Sequence, residues 1–168
     1  VVEYGADCFR MYEMFLGPLE QSKPWDTKGI SGVAGFLRRY YSLFWNAKDE
    51  FYLTDDEPSK EEFKVLHTCI KKVNQDTESL SFNTSVSAFM ICVNSLKSMA
   101  CTKRQILIPL TQLLAPFAPF ITEEVWHLAG NSGSIQHSKY PEANEDFLVE
   151  DSVNYPVSVN GKKRYEWN

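Results

Sequence analysis

The chain has 168 residues, of which 43% are hydrophobic and 14% are aromatic. This is enough for one globular domain with a packed core, and it excludes collagen-like, low-complexity and disordered classes. The formal net charge of −5 argues against a protein that coats nucleic acid non-specifically, because such binding depends on neutralising phosphates. Charged residues interrupt the longest apolar region, so we predict a soluble protein with no membrane partner. A cytoplasmic location is expected because the cysteines are typical of a reducing compartment.

Both ends of the chain have the character of internal sequence. The start, Val1-Val2-Glu3-Tyr4, contains neither an initiator methionine nor a signal-peptide profile, and the chain ends within a repeating pattern at Tyr165-Glu166-Trp167-Asn168. We therefore interpret the chain as a fragment of a longer protein.

Apolar residues recur at intervals of three and four along most of the chain, which predicts amphipathic helices. The predicted helices cover residues 5–15, 31–47, 59–78, 82–99, 104–114 and 119–130. Pro109 is expected to kink the fifth helix or delay its start, whereas Pro119 suits the first turn of the sixth. The predicted fold class is all-α, a helical bundle.

The third predicted helix carries the clearest local signals. Ser59 followed by Glu62 forms a capping box at its start. Four apolar residues are expected to form its buried stripe, namely Phe63, Leu66, Ile70 and Val73. A neighbouring stripe is basic and consists of Lys60, Lys64, His67 and Lys71, with Lys72 beside it.

The helical period is replaced by alternation near the end of the chain. Residues 153–159 alternate between apolar and polar side chains and are followed by Asn160-Gly161, a strong signal for a two-residue hairpin turn. We predict a short C-terminal β appendage in which these residues pair with the strand that begins at Lys162.

The four cysteines show no Cys-x-x-Cys spacing and lie among apolar residues. Buried free thiols are therefore favoured over a disulfide or a zinc site for Cys8, Cys69, Cys92 and Cys101. The three histidines are scattered, and no metal site is predicted. No glycine-rich phosphate loop or nucleophile motif occurs, so no catalytic residue is assigned. Glu123 and His127, four residues apart, are interpreted as a structural pair in preference to a proton-transfer pair.

Basic residues are segregated along the chain, because residues 27–48 and 79–122 carry no acidic side chain. This permits a basic face on an acidic protein, although separate solvated helix faces would give the same count. Side chains that could follow an RNA backbone are Arg38, Arg39, Lys64, His67, Lys71 and Lys72. From periodicity alone, an ordinary solvent-exposed face is the favoured alternative. The aromatic residues Tyr40, Tyr41, Phe44 and Trp45 are more typical of a core than of base stacking.

The opening string from Tyr4 to Leu19, with its Met-Phe-Leu-Gly-Pro element, resembles the segment after the Lys-Met-Ser-Lys-Ser loop of bacterial-type leucyl-tRNA synthetases, a class I family. Further strings are similar to the helical domain of that family, in the same order, at residues 22–25, 29–33, 36–39, 67–73, 82–84, 114–119 and 122–126. Residues 149–162 resemble the junction with the small C-terminal domain of the family.

The resemblance implies a helical domain of the kind called anticodon-binding, which grips the tRNA body without reading the leucine anticodon. It implies leucine tRNA as a partner, together with catalytic and editing domains of the same parent chain. The parent would join leucine to tRNA using ATP and Mg. The catalytic His-Ile-Gly-His and Lys-Met-Ser-Lys-Ser motifs do not occur here, so the chain itself is expected to bind RNA without catalysis and without a cofactor.

The implied organisation is a connection to the catalytic core at residues 1–24, the bundle at residues 25–147 and a truncated C-terminal domain at residues 148–168. Two positions depart from the family pattern. Gly35 replaces a basic residue, which is expected to weaken a basic patch, and Phe120 replaces a histidine, which is interpreted as a packing change. The alternatives are the equivalent domain of an isoleucyl, valyl or methionyl enzyme, and a helical interaction module without an RNA role.

Overall fold

The computed structural model describes residues 2–22 and 29–149, together with the backbone of residues 155–159 and 162–167. The described part contains six α-helices: α1 (Ala6–Phe15), α2 (Ile30–Tyr41), α3 (Lys60–Glu78), α4 (Phe82–Ser98), α5 (Arg104–Leu114) and α6 (Pro119–Leu128). Short 3-10 turns follow at Ser42–Phe44, Ile135–His137 and Glu145–Phe147. The predicted all-α bundle is confirmed.

The bundle is organised around α4, which packs against α1, α2 and α3, while α5 packs against α3 and α6. Val86, Phe89, Val93 and Leu96 of α4 are completely buried. The three-residue connection from α3 to α4 turns at Leu80, whose φ of 57° is in the left-handed region. This connection is short enough that α3 and α4 pack directly as a helical hairpin.

The predicted capping box at the start of α3 is present. The Glu62 backbone N–H donates to Ser59 Oγ at 3.2 Å, and the Ser59 backbone N–H donates to Glu62 Oε2 at 2.8 Å. The other carboxylate oxygen of Glu62 accepts from Lys103 Nζ at 3.0 Å. Because Lys103 immediately precedes α5, one buried carboxylate joins the starts of two helices. The sequence pattern identified the cap but missed Lys103.

The second helix ends earlier than the predicted residue 47. Its α-helical part stops at Tyr41, and Asn46 then closes a turn by accepting the backbone N–H groups of Lys48 and Glu50 on its side-chain oxygen. Asparagine competes with helical hydrogen bonding in this way, which explains the early end. Tyr40 and Phe44 are fully buried, and Tyr40 donates its hydroxyl hydrogen to Thr111 Oγ1 at 2.8 Å, so the predicted core role is confirmed for these two residues. Tyr41 and Trp45 are only partly buried and pack against the core.

The predictions for the two prolines have different outcomes. Pro109 lies inside α5, which begins at Arg104, so the expected delay of this helix is wrong. Pro119 occupies the first turn of α6, as predicted. The interpretation of Phe120 as a packing change is wrong as well, since 68% of this residue is exposed.

Helix α6 receives its N-terminal cap from a remote side chain. Ala118 stands at the capping position and has no side-chain acceptor. Asp7 of α1 supplies one instead, because its carboxylate accepts the backbone N–H of Phe120 at 3.2 Å and of Ile121 at 2.7 Å. Arg10, one turn later, donates to the carbonyl oxygen of Pro116 at 3.1 Å. Together these contacts fasten α1 to the corner between α5 and α6.

The C-terminal residues form the predicted hairpin, with β1 (Tyr155–Val159) paired antiparallel to β2 (Lys162–Trp167). Val153 and the turn at residues 160–161 lie outside the described residues. All four cysteines are buried and free, as predicted. Within the described residues, no helix combines the length and the apolar character needed to cross a membrane.

The Glu62 contacts make stability depend on pH. Burial acts to raise the pKa of Glu62, but hydrogen bonds from Ser59 and Lys103 outweigh it and lower the pKa from 4.5 to about 2. A carboxyl with a depressed pKa stabilises the fold above its unfolded pKa, and this contribution is lost as the pH falls between these two values. The shift corresponds to about 3 kcal/mol.

We expect Glu62→Gln to lower the free energy of unfolding at neutral pH and to remove most of the wild-type decline between pH 4.5 and pH 2. Urea unfolding across this range is the measurement. The control is Glu61→Gln, an exposed carboxylate in the same helical turn. An equal pH dependence in wild type and Glu62→Gln would show that the capping carboxylate does not control acid stability.

Candidate nucleic-acid interface

Arg38 and Arg39 lie on the last turn of α2, and both are exposed. Burial of Phe36, Leu37 and Tyr40 orients this helix, which leaves the two guanidinium groups on the outside. Cations near the C-terminus of a helix interact favourably with its dipole. Neither arginine forms an ion pair with a carboxylate in the part of the chain that the structure describes. Both guanidinium groups are therefore available to an anion.

Gly35 lies one turn before Arg39 and under its side chain. A Cβ atom built at Gly35 would be 3.6 Å from a terminal nitrogen of the Arg39 guanidinium, which is ordinary van der Waals contact. A basic residue at this position would thus bring a further cation beside Arg39. The glycine adds no charge here, and the expected weakening of a basic patch stays a prediction.

Lys64 and Lys72 border a cavity of about 230 Å³ between α3 and α4. The ammonium group of Lys72 is 2.6 Å from the carboxylate of Asp76, whose side chain is 6% exposed. This pair offsets much of the positive charge of Lys72. Ile91 of α4 lines the same cavity and is 67% exposed.

The segment that contains residues 144–147 packs on His67 and forms an ion pair with Lys71, whose side chain is 42% exposed. The imidazole of His67 stacks on the ring of Phe147 at 4.7 Å between centroids, and Phe63 stacks on the same ring at 4.4 Å. The backbone N–H of Asn144 donates to His67 Nδ1 at 3.1 Å. Lys71 forms an ion pair with Glu145 at 2.9 Å.

The predicted basic stripe of α3 is therefore not uniform. His67 accepts a hydrogen bond through Nδ1, which requires that nitrogen to be unprotonated, and burial lowers the pKa of its side chain. An imidazole held neutral in this way contributes packing and no positive charge. Lys71 could bind a phosphate only if its ion pair with Glu145 were broken. The geometry favours a packing role for His67.

Other basic residues of the segment 79–122 are engaged within the fold. Lys97 donates to the backbone oxygen and the hydroxyl of Ser42, at 3.2 and 2.9 Å. Arg104 donates to the carbonyl oxygen of Ala129 and lies 3.3 Å from a carboxylate oxygen of Asp55. These contacts join separate elements, so this run of like charge does not form one free basic face.

Glu123 and His127 form the predicted structural pair, with 3.1 Å between the imidazole Nε2 and the carboxylate. The second carboxylate oxygen of Glu123 accepts from the Ser134 hydroxyl and from the backbone N–H of Ile135. Glu123 thereby holds the segment after α6. Among the described residues, no group of three or more histidine, cysteine, aspartate or glutamate side chains is arranged to hold a metal ion.

The sequence pattern missed an open groove of about 1050 Å³ between the starts of α1 and α6 and the second half of α2. Its lining includes Tyr4, Leu37, Arg38, Tyr41 and Phe120. These residues come from three distant parts of the chain, and no local pattern connects them. The exposure of Phe120 became visible only in the structure.

Comparison with known proteins identifies relatives across the whole chain. Residues 59–168 match the family model described as the anticodon-binding domain of tRNA ligase. The leucine–tRNA ligase of Porphyromonas gingivalis is 58% identical over 165 residues, which cover 98% of this chain and 18% of that protein. The leucine–tRNA ligase of Cytophaga hutchinsonii is 55% identical over 168 residues, covering 100% of this chain and 18% of that protein.

The fold is also similar to a solved structure. The LeuRS of Agrobacterium radiobacter K84 agnB2, in a ternary complex with tRNA and LeuAMS, matches with a TM-score of 0.76 and 28% identity. The match covers 98% of this chain and 23% of that chain. The chain thus spans about a fifth of the length of the proteins that it resembles.

The His67 contacts predict a second pH effect. Because burial lowers the pKa of folded His67 from 6.5, the unfolded state binds more protons just below this value, and stability falls as the pH is lowered through it. We expect His67→Gln to flatten the decline in unfolding free energy between neutral pH and about pH 5. Urea unfolding checks this, with the exposed His137→Gln as control. A decline that persists in His67→Gln would assign it to other groups.

Proposed function

This chain belongs to the anticodon-binding domain family of tRNA ligases, and on that premise we propose that it is the tRNA-binding helical domain of a leucyl-tRNA synthetase. The observation that carries the proposal is the 58% identity to a leucine–tRNA ligase across 98% of the chain. Leucine-type relatives at this identity favour a leucine parent over an isoleucyl, valyl or methionyl one.

The proposed parent joins leucine to its tRNA using ATP and Mg, and it does so in the cytoplasm. The chemistry would reside in catalytic and editing domains outside this chain, which contribute the motifs that are missing here. The role of this chain is to hold the body of leucine tRNA while the acceptor end reaches those domains.

The divisions at residues 24 and 147 stay predictions. Packing of Cys8 and Met11 in the common core supports treating α1 as physically part of the bundle.

The proposed RNA contacts are charge-assisted hydrogen bonds to phosphates. Arg39 and its neighbour Arg38 are the strongest candidates, since exposed guanidinium groups without a carboxylate partner bind phosphates at little internal cost. Lys64 is a further candidate on α3, beside Lys71 and Lys72. Lys71 and Lys72 would have to exchange Glu145 and Asp76 for phosphates, so we expect smaller net contributions from them. Contacts of this kind position the RNA and carry no base information.

We expect Arg39→Ala in the full-length protein to weaken leucine tRNA binding and to reduce the slope of log affinity against log salt by about 0.7 to 0.9. Lys64→Ala should act in the same direction, and Lys71→Ala should change the slope less than Arg39→Ala, because Lys71 is paired with Glu145. Discrimination against other tRNAs should stay nearly constant. The measurement is a salt titration of tRNA affinity for each variant.

The matched control for this titration is Lys139→Ala. Lys139 is an exposed lysine that pairs with Glu142 and lies outside the proposed phosphate contacts. Equal salt slopes for wild type and Arg39→Ala, with both proteins folded, would identify the α2 surface as an ordinary solvated face. A chain that binds no RNA at any salt concentration would favour a helical interaction module.

We further expect the 168-residue chain alone to show no leucine-dependent exchange of pyrophosphate with ATP, because it lacks the nucleotide-binding motifs of the family. The exchange assay with the purified chain checks this, and the full-length protein is the positive control. Measurable exchange by the chain alone would place catalytic groups inside it and contradict the proposed division of labour.

A further inference from the structure

A short strap beyond α6, residues 144–147, packs on the basic side of α3. The ring of Phe147 stacks on the rings of Phe63 and His67, with interplanar angles of 12° and 16°. The backbone N–H of Asn144 donates to His67 Nδ1 at 3.1 Å. Stacking and one hydrogen bond therefore hold an acidic segment against the helix face that carries Lys71.

Glu145 of this strap places an anion directly on Lys71. Both of its carboxylate oxygens lie close to Lys71 Nζ, at 2.9 Å for Oε1 and 3.0 Å for Oε2. A phosphate bound to Lys71 would occupy the same space, because charge-assisted hydrogen bonds to carboxylate and phosphate oxygens have similar lengths. Glu145 and a phosphate therefore exclude each other at this lysine.

The strap can leave α3 at a small free-energy cost. The side chains of Lys71 and Glu145 are 42% and 69% exposed, and exposed ion pairs contribute little to stability. Just before the strap, a hollow of about 380 Å³ lies between residues 139–142 and the helices α3 and α5. Ala143 packs against the core, so a movement of the strap can end at this residue.

Charge favours the strap on α3 in the free protein and opposes it when RNA is present. Residues 140–161 contain acidic side chains and no basic one. Glu145 and Asp146 are both exposed, so a phosphate backbone that approached Lys71 would meet them as like charges. RNA and the strap therefore compete for one lysine.

We propose that the strap is an autoinhibitory contact, in which Glu145 occupies a phosphate position on α3 until an RNA backbone displaces residues 144–147. The inference rests on the proposed function, because it concerns the regulation of the same RNA surface. Arg38 and Arg39 bind phosphates without such a displacement, whereas Lys71 becomes a contact only by exchange. The released carboxylate attracts a cation from solution, so the exchange adds less to the salt dependence than a full contact does.

Glu145→Gln in the full-length protein tests the proposal, because the amide keeps the shape of the side chain and removes its charge. Leucine tRNA should bind about two- to fivefold more tightly to this variant, and the slope of log affinity against log salt should steepen by up to about 0.7 to 0.9. The matched control is Glu142→Gln, which removes the same charge from an exposed glutamate that pairs with Lys139. No gain in Glu145→Gln, or an equal gain in both variants, would overturn the proposal.

A double-mutant cycle assigns the effect to the Lys71 contact. In a Lys71→Ala background, Glu145→Gln should leave tRNA affinity unchanged, because the lysine for which the carboxylate competes is absent. A gain of the same size in this background would show that Glu145 acts through its general charge, and the autoinhibitory contact would be wrong.

Hydrogen exchange of the full-length protein separates this proposal from the proposed function. Backbone amides of residues 144–147 should exchange faster when leucine tRNA is bound, because Asn144 loses its acceptor on His67. The turn at Ile135–His137, which Glu123 holds, is the control and should not change. If the protein binds leucine tRNA and exchange in the strap stays the same, the strap proposal fails and the proposed function stands. A full-length protein that does not bind leucine tRNA would contradict both.

Discussion

The packing of α4 against three neighbours is the constraint on which the rest of the domain depends. Val86, Phe89, Val93 and Leu96 are completely buried, and each side chain of this size contributes about 1.5 to 3 kcal/mol when it leaves water. With α4 enclosed, α2 and α3 must each turn one face inward. The outward positions of their cations follow from this burial.

The polar contacts then select which cations stay available. Three lysines form ion pairs with carboxylates: Lys103 with Glu62, Lys71 with Glu145 and Lys72 with Asp76. Arg38 and Arg39 are exposed and have no acidic partner in the described part of the chain. An acidic protein can bind RNA in this way, because local potential matters more than net charge. The proposed RNA surface follows the same logic, with phosphates at Arg38 and Arg39.

Local features of the fold could be predicted from the sequence because each depends on residues a few positions apart. The capping box of Ser59 and Glu62 joins residues three positions apart, and the pairing of β1 with β2 was predicted from alternation and a two-residue turn signal. The end of α2 was misplaced, because apolar periodicity continued past Tyr41 while Asn46 offered the backbone a competing turn. The family was identified from short strings for the same local reason.

The sequence by itself therefore determined the helices, the buried thiols and the family, whereas the tertiary structure determined the partners of the charged side chains at the surface. Asp7 caps a helix 113 residues away, and Glu145 reaches Lys71 across 74 residues. His67 has the spacing of a phosphate contact, yet the stacking of Phe147 makes it a packed and neutral side chain. Periodicity specifies which face of a helix turns outward. Whether a charged side chain on that face contacts water, a carboxylate or a partner depends on the packing of the whole bundle.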